Sequence, residues 1–191
     1  MNIGAFFSNK AKYYLFHDID LLVKKDFFHN IFENLSKSNT SALQAFSGRR
    51  VIVISKELTD LILTHKLKID DFEPGGTLAP YSTAGAPGGS IFIKREDFYK
   101  VGGFDAELFH SYSCEDAFFY HKVEIMIGIK SCDNPIIEVF HMDHPRTNGA
   151  GNPDISLQRG IYAGFKDLPV NDKRIFIENI SKNLKDNIFI F

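Results

Sequence analysis

The sequence predicts an α/β fold. Short apolar runs of strand length alternate along the chain with amphipathic segments of helical period. The composition, 44% hydrophobic and 24% charged over 191 residues, is that of a globular chain long enough to bury a core. Phenylalanine supplies most of the aromatic residues, 19 Phe against 7 Tyr and no Trp, so the core is expected to be built on it.

Tyr13-Tyr14-Leu15-Phe16 is an unbroken apolar run that stops at His17-Asp18-Ile19-Asp20, the pattern of a strand buried on both faces whose end reaches a polar site. Phe27, Phe28, Ile31, Phe32 and Leu35 recur at helical spacing and fade at Ser36-Lys37-Ser38-Asn39. Residues 42–46 and 51–54 read as short strands around Gly48-Arg49-Arg50, followed by a helix over 56–65 with Leu58, Leu61 and Ile62 inward. Residues 73–89 hold prolines and glycines too densely for an element interior and are expected to form a long loop. Ser90-Ile91-Phe92-Ile93 reads as a buried strand and residues 95–101 as a short helix closed by Gly102-Gly103. Ser113 reads as the N-cap of a helix running through Phe118, Phe119, Lys122 and Val123. Residues 136–140 form the last expected strand, which runs into a polar loop over 141–153.

The balance of 22 Lys+Arg against 24 Asp+Glu leaves a net charge of −2 and gives no global reason to expect nucleic acid. Two cysteines, Cys114 and Cys132, exclude a disulfide framework and a four-thiolate zinc site. No leader-like start and no apolar stretch of membrane-spanning length is visible. The expectation is therefore a cytoplasmic protein, at most peripheral to a membrane. No internal repeat is visible either.

Four constellations carry chemistry, and each has an ordinary reading beside it. Asp18 and Asp20 place two carboxylates at a strand end, where a hard divalent cation and a phosphate could sit, or where there is only a solvated turn. His141 and His144 follow the last strand. Together with carboxylate they suit Mn²⁺ better than Zn²⁺ or Ca²⁺, although an exposed histidine pair is the plainer alternative. Glu115 and Asp116 open a helix, where acidic residues also serve the macrodipole; as a catalytic pair, one would bind an acceptor hydroxyl and the other take its proton. Gly88-Gly89 ahead of a strand permits close backbone approach to a ligand.

The order Phe16-His17-Asp18-Ile19-Asp20-Leu21-Leu22, then Gly88-Gly89-Ser90, then Gly102-Gly103-Phe104-Asp105, then Glu115-Asp116, then His141 to His144 resembles the β-1,4-galactosyltransferase family. It is also similar to the galactosyltransferase-like domains of bacterial capsule and chondroitin polymerases. The resemblance runs from about Asn2 to Arg159. It implies a GT-A-like (Rossmann-like) mixed sheet flanked by helices, with the galactosyltransferase-like part over residues 1–165 and a helical or extended tail over 166–191. The implied activity is that of an inverting, metal-dependent glycosyltransferase that moves a hexose or N-acetylhexosamine from a UDP-sugar to a glycan. The metal would be Mn²⁺, with Mg²⁺ as the substitute.

By the same resemblance Asp20, His144 and His141 fall on the metal, Asp18 on the donor ribose or sugar, and Gly88-Gly89 beside the donor. Asp116 falls on the catalytic base and Glu115 on the acceptor. The long loops, 73–89 and 143–157, would close over the donor.

Two departures stand out. Residues 109–114, Phe-His-Ser-Tyr-Ser-Cys, replace a segment that in the family carries Trp and glycines, with Tyr112 in the place of a stacking ring. Only 17 residues precede Asp18, where the family carries the β-α-β units that hold uracil. A missing N-terminal half or a partner chain is the expectation that follows, and an inactive remnant that binds metal or glycan is the rival reading. A phosphoesterase using Asp18, Asp20, His141 and His144 is a more distant rival.

Overall fold

The computed structural model describes residues 10–72, 82–85, 88–109, 114–144 and 153–188. Two four-stranded sheets, each mixing parallel and antiparallel pairs, are flanked by helices. The first runs β1 (Tyr13–His17), β6 (Ser90–Lys94), β3 (Ala42–Gln44) and β7 (Lys130–Ser131). The second runs β2 (Leu21–Val23), β8 (Val139–His141), β4 (Arg50–Val53) and β5 (Ser82–Gly85). The α/β expectation therefore holds at the level of class.

β1 and β2 are consecutive in the chain yet belong to different sheets, so the turn at Asp18-Ile19-Asp20 is where the backbone crosses from one to the other. Leu21 N–H closes it on Asp18 C=O at 3.1 Å, and Ile19 at its tip is 97% exposed.

The first two helices form where the apolar period predicts, although Phe28 and Phe32, expected on the inward face of the first, are 55% and 51% exposed. In α1 (Phe27–Ser38), Phe27, Ile31 and Asn34 are buried at helical spacing, and Asn39 ends it in the left-handed conformation at φ 47°. In α2 (Lys56–Leu63) the Ser55 hydroxyl caps the first turn by accepting from Leu58 N–H at 3.3 Å. α3 (Arg95–Lys100) buries Phe98. α4 (Glu115–Met126) buries Phe118, Phe119, Tyr120, Lys122 and Val123, which lie around most of its circumference, because it sits between two packed layers. Phe119, Tyr120 and Val123 join the cluster of β1, β6 and α3, whereas Phe118 packs with Phe109, Phe165 and Ile177. The last two belong to α5 (Pro153–Asp167) and α6 (Val170–Ile188).

The phenylalanine core is seen in the contacts of Phe16, Phe98, Phe104 and Phe119. Phe104 stacks on Phe119 at 4.1 Å and Phe16 meets Phe104 edge-on at 5.0 Å. Each such pair contributes about 0.5–1.5 kcal/mol beyond area burial.

Several expectations change. The stretch 73–89 is not wholly loop, because Ser82–Gly85 pairs antiparallel with β4 through its backbone; the rest of the stretch up to Pro87 lies outside the described residues. The last strand starts at Val139 rather than Ile136, because Ile136 makes only an isolated antiparallel bridge with Asp133 and is 69% exposed. The loop expected over 143–157 gives way to α5 at Pro153, and residues 145–152 are not described. Cys114 rather than Ser113 is the N-cap of α4, and it makes no side-chain cap bond. β1 is covered on both faces but lies at a sheet edge, so only Tyr14 is fully buried in it. The start of the resemblance at about Asn2 and the expectation placed on Tyr112 fall outside the described residues. No helix among the described residues is long and apolar enough to cross a membrane.

Candidate functional site

The sheet registers bring sequence-distant residues to the two ends of the Asp18–Asp20 turn. In the first sheet His17 pairs with Ser90, and one residue further on Asp18 N–H donates to Gly89 C=O at 2.9 Å. In the second sheet Leu21 pairs with His141, and Met142 N–H donates to Asp20 C=O at 2.9 Å. Asp18 therefore meets the glycine pair, and Asp20 meets the histidine loop.

At the Asp20 end, Nε2 of His144 lies 2.8 Å and Nε2 of His141 3.3 Å from Asp20 Oδ2. The two imidazoles are stacked with centroids 5.2 Å apart. One ligand atom from each of the three residues falls within 4.8 Å of the others. Asp20 and His141 are half-buried and His144 is exposed, so the group is sheltered on one side and open on the other. His141 Nδ1 is buried with no hydrogen-bond partner. One carboxylate oxygen and two imidazole nitrogens form a donor set that fits a divalent metal of intermediate hardness.

The loop that carries His144 is anchored from below. Thr59 in α2 is buried; its hydroxyl donates to Ser55 C=O at 2.9 Å and accepts Asp143 N–H at 3.0 Å. Ile54 N–H donates to His141 C=O at 3.1 Å. His17 holds the other end of the turn, with Nε2 donating to Leu21 C=O at 2.9 Å and Nδ1 accepting from the Ser90 hydroxyl at 2.8 Å. Sequence reading does not find Thr59: its partner is 84 positions away, and a threonine inside an amphipathic helix carries no mark. His17 is visible only as a polar residue at the end of an apolar run.

At the Asp18 end, Gly88 and Gly89 are buried, and the start of α4 closes onto them. A Cβ added at Gly88 would fall 2.5 Å from both the Cβ and the carbonyl oxygen of Asp116, so this position accepts no side chain without displacing the helix. Burial raises the Asp18 carboxyl to about 7, with further contributions from the charges of Asp116, Asp20 and Glu115. All four carboxylates thus share one electrostatic neighbourhood, a setting that favours a bound cation. Asp116 is also raised, chiefly by burial and further by Glu115, while its carboxylate accepts Ala117 N–H at 2.6 Å.

The residues singled out in the sequence therefore assemble as two adjoining groups, Asp20–His141–His144 and Asp18–Gly88–Gly89–Asp116 with Glu115 beside it. The exposed tip residue Ile19 lies between the two aspartates of the turn. No family model, curated protein or solved structure matches the chain.

Proposed function

We propose that the chain is a metal-dependent glycosyltransferase of GT-A type, inverting, that transfers a hexose or N-acetylhexosamine from a UDP-sugar to a glycan. The observation that carries this reading is the placement of a metal-competent carboxylate–imidazole group at one end of a three-residue turn and, at its other end, of Asp18 in the neighbourhood of Asp116. Asp20, His141 and His144 would hold the metal, Mn²⁺ or Mg²⁺. When bound, it supplies positive charge that stabilises the diphosphate of the departing UDP.

The other residues supply position and proton transfer. Gly88-Gly89 stand beside the donor, where Gly88 lets the first turn of α4 and Asp116 close against the sheet, and Asp18 next to them accepts a hydrogen bond from a hydroxyl of the donor ribose or sugar. Glu115 orients the acceptor by accepting one of its hydroxyl protons in a hydrogen bond. Asp116 takes the proton of the attacking hydroxyl as its oxygen bonds to the anomeric carbon. The bond from that carbon to the diphosphate breaks on the opposite face, and UDP leaves with the electron pair. An elevated pKa suits Asp116 for this step, because a base with a pKa nearer the working pH takes a proton more readily than an ordinary carboxylate.

The test is to incubate the purified chain with Mn²⁺, a panel of UDP-hexoses and UDP-N-acetylhexosamines, and glycan acceptors, following acceptor-dependent UDP release. Release that is lost in Asp116→Asn supports the reading. Release in neither protein contradicts it.

A further inference from the structure

β1 is the longest strand at a sheet edge among the described residues, five residues against two, three and four in β7, β2 and β5. On its inner side Lys12 C=O accepts Arg95 N–H at 3.0 Å and Asp18 N–H donates to Gly89 C=O at 2.9 Å, so in this antiparallel ladder the even-numbered residues face β6. The N–H and C=O groups of Tyr13, Leu15 and His17 therefore point outwards. Among the described residues none of these groups has a backbone partner.

The edge is apolar as well as open. β1 carries apolar side chains on both faces, as an interior strand does: Tyr14 and Phe16 lie in the cluster with α3 and α4, and Tyr13 and Leu15 in the cluster with α1. Tyr13 stacks on Phe92 at 5.0 Å, and Phe32, 51% exposed, meets the same ring edge-on at 5.6 Å. A solvated phenyl ring thus stands on the α1 face near the open edge. Such an edge is a template for another strand.

The residues of β1 specify which strand fits. About Leu15, positions 12 to 18 form a chemical palindrome, with Tyr14 matched to Phe16, Tyr13 to His17, and Lys12 to the opposite charge of Asp18. A two-fold axis at Leu15 brings these pairs opposite one another in antiparallel strands of two copies. Tyr13, Leu15 and His17 then bond to His17, Leu15 and Tyr13 of the second copy, which are the groups that point outwards. Tyr14 and Phe16 meet as aromatic cross-strand pairs, and Lys12, exposed in the single chain, meets Asp18 of the other copy. Sliding the strands by two residues sets Lys12 against Phe16 or Asp18 against Tyr14 and shortens the overlap. A parallel in-register neighbour would set Lys12 against Lys12.

We propose that β1 is a dimerisation strand, through which two copies of this chain pair antiparallel about a two-fold axis at Leu15 and form one sheet running through both. Lys12 of each copy then adds a cation to the carboxylate neighbourhood of Asp18 in the other. The proposal rests on the open edge and its palindrome and is independent of the transferase reading.

The test is sedimentation equilibrium of the full chain over a range of concentrations, for the parent, Leu15→Pro, Lys12→Asp and the double variant Lys12→Asp with Asp18→Lys. Proline at position 15 removes an N–H that points away from β6, so the chain's own ladder is kept. Circular dichroism and thermal unfolding verify the fold of each variant. The axis is located with Leu15→Cys and Tyr13→Cys under mild oxidation, the parent being the control for Cys114 and Cys132. Paired about the axis, the two copies of position 15 have α-carbons about 5.5 Å apart, within disulfide reach, whereas the two copies of position 13 are about 14 Å apart.

The expected result is a reversible dimer of the parent and a monomer of Leu15→Pro. Lys12→Asp should weaken dimerisation about tenfold or more by opposing like charges, and adding Asp18→Lys should restore most of the loss. Leu15→Cys should cross-link and Tyr13→Cys should not. A parent that stays monomeric at every concentration would overturn the proposal and leave the edge to a strand from a different chain. A dimer that survives both Leu15→Pro and Lys12→Asp, or that cross-links through position 13 in preference to 15, would place the interface elsewhere and overturn it as well. If Leu15→Pro does not fold, Lys12→Asp and the cysteine pair decide.

Discussion

Gly88 and Asp116 are packed backbone to backbone, with the carbonyl group and Cβ of Asp116 in the space a side chain at Gly88 would need. This contact sets the start of α4 against the turn that leads into β6 and so places Asp116 beside Asp18. Gly88→Ala is expected to force the first turn of α4 away and to destabilise the protein by about 1–3 kcal/mol, the usual cost of overpacking. Gly160→Ala is the control, since it lies inside α5 with nothing within 4 Å of the added carbon. It should stabilise by about 0.5–1 kcal/mol. Urea unfolding of the two variants checks both signs.

Asp116 carries a pH dependence with a definite sign. Its carboxyl is raised in the folded protein by burial and by Glu115, so the folded chain holds a proton that the unfolded chain releases. The stability this contributes is fully present below the unfolded Asp pKa and is lost as pH rises through the folded one. Asp116→Asn removes the charge, so it should unfold at higher urea than the parent at pH 8, with the difference shrinking towards pH 4. If transfer occurs, the same substitution should cut turnover by about 10²–10⁴. The acid limb of the parent's rate profile should also lie above that of an ordinary aspartate.

Lys122 and Asp105 form an ion pair at 2.5 Å with both side chains almost wholly buried, and Asp105 Oδ1 has no further partner. Burial pushes Asp105 up and Lys122 down, each partly offset by the other's charge. Lys122→Met alone should cost about 3–5 kcal/mol by leaving an unpaired buried carboxylate. Adding Asp105→Leu should recover much of that loss. A double-mutant cycle on unfolding free energies measures the coupling.

Metal affinity should depend on Asp20 and His144 directly and on Thr59 at one remove. Asp20→Ala and His144→Ala are expected to abolish saturable Mn²⁺ binding in calorimetry. Thr59→Val leaves the ligands in place but removes the hydroxyl that holds Asp143 N–H. It should weaken binding by about tenfold, in the range for groups that orient ligands, and Thr59→Ser should restore it.

The parts legible in the sequence are those where one physical signal dominates. The apolar run of β1 stops at His17, and the site begins there; the periods of α1 and α2 needed only local spacing, and His141 and His144 were marked by following an apolar strand. What was not legible depends on partners far along the chain. Ser82–Gly85 is a strand because its backbone pairs with β4, which small residues in a glycine- and proline-rich stretch do not announce. β2 is three residues long and defined by its register with β8. Lys122 reads as a polar position in a helix, and its burial makes sense only once Asp105 is brought beneath it. Asp18 and Asp20 read as one motif, yet the crossing between sheets assigns them to different groups.

If the two groups across the Asp18–Asp20 turn together bind a metal and a nucleotide diphosphate, UDP titrated into the intact chain with and without Mn²⁺ will reveal it. Saturable UDP binding is expected that requires Mn²⁺, is lost in Asp20→Ala and persists in Asp116→Asn. UDP binding that is absent, or that is unchanged by removing Mn²⁺ and by Asp20→Ala, would contradict it.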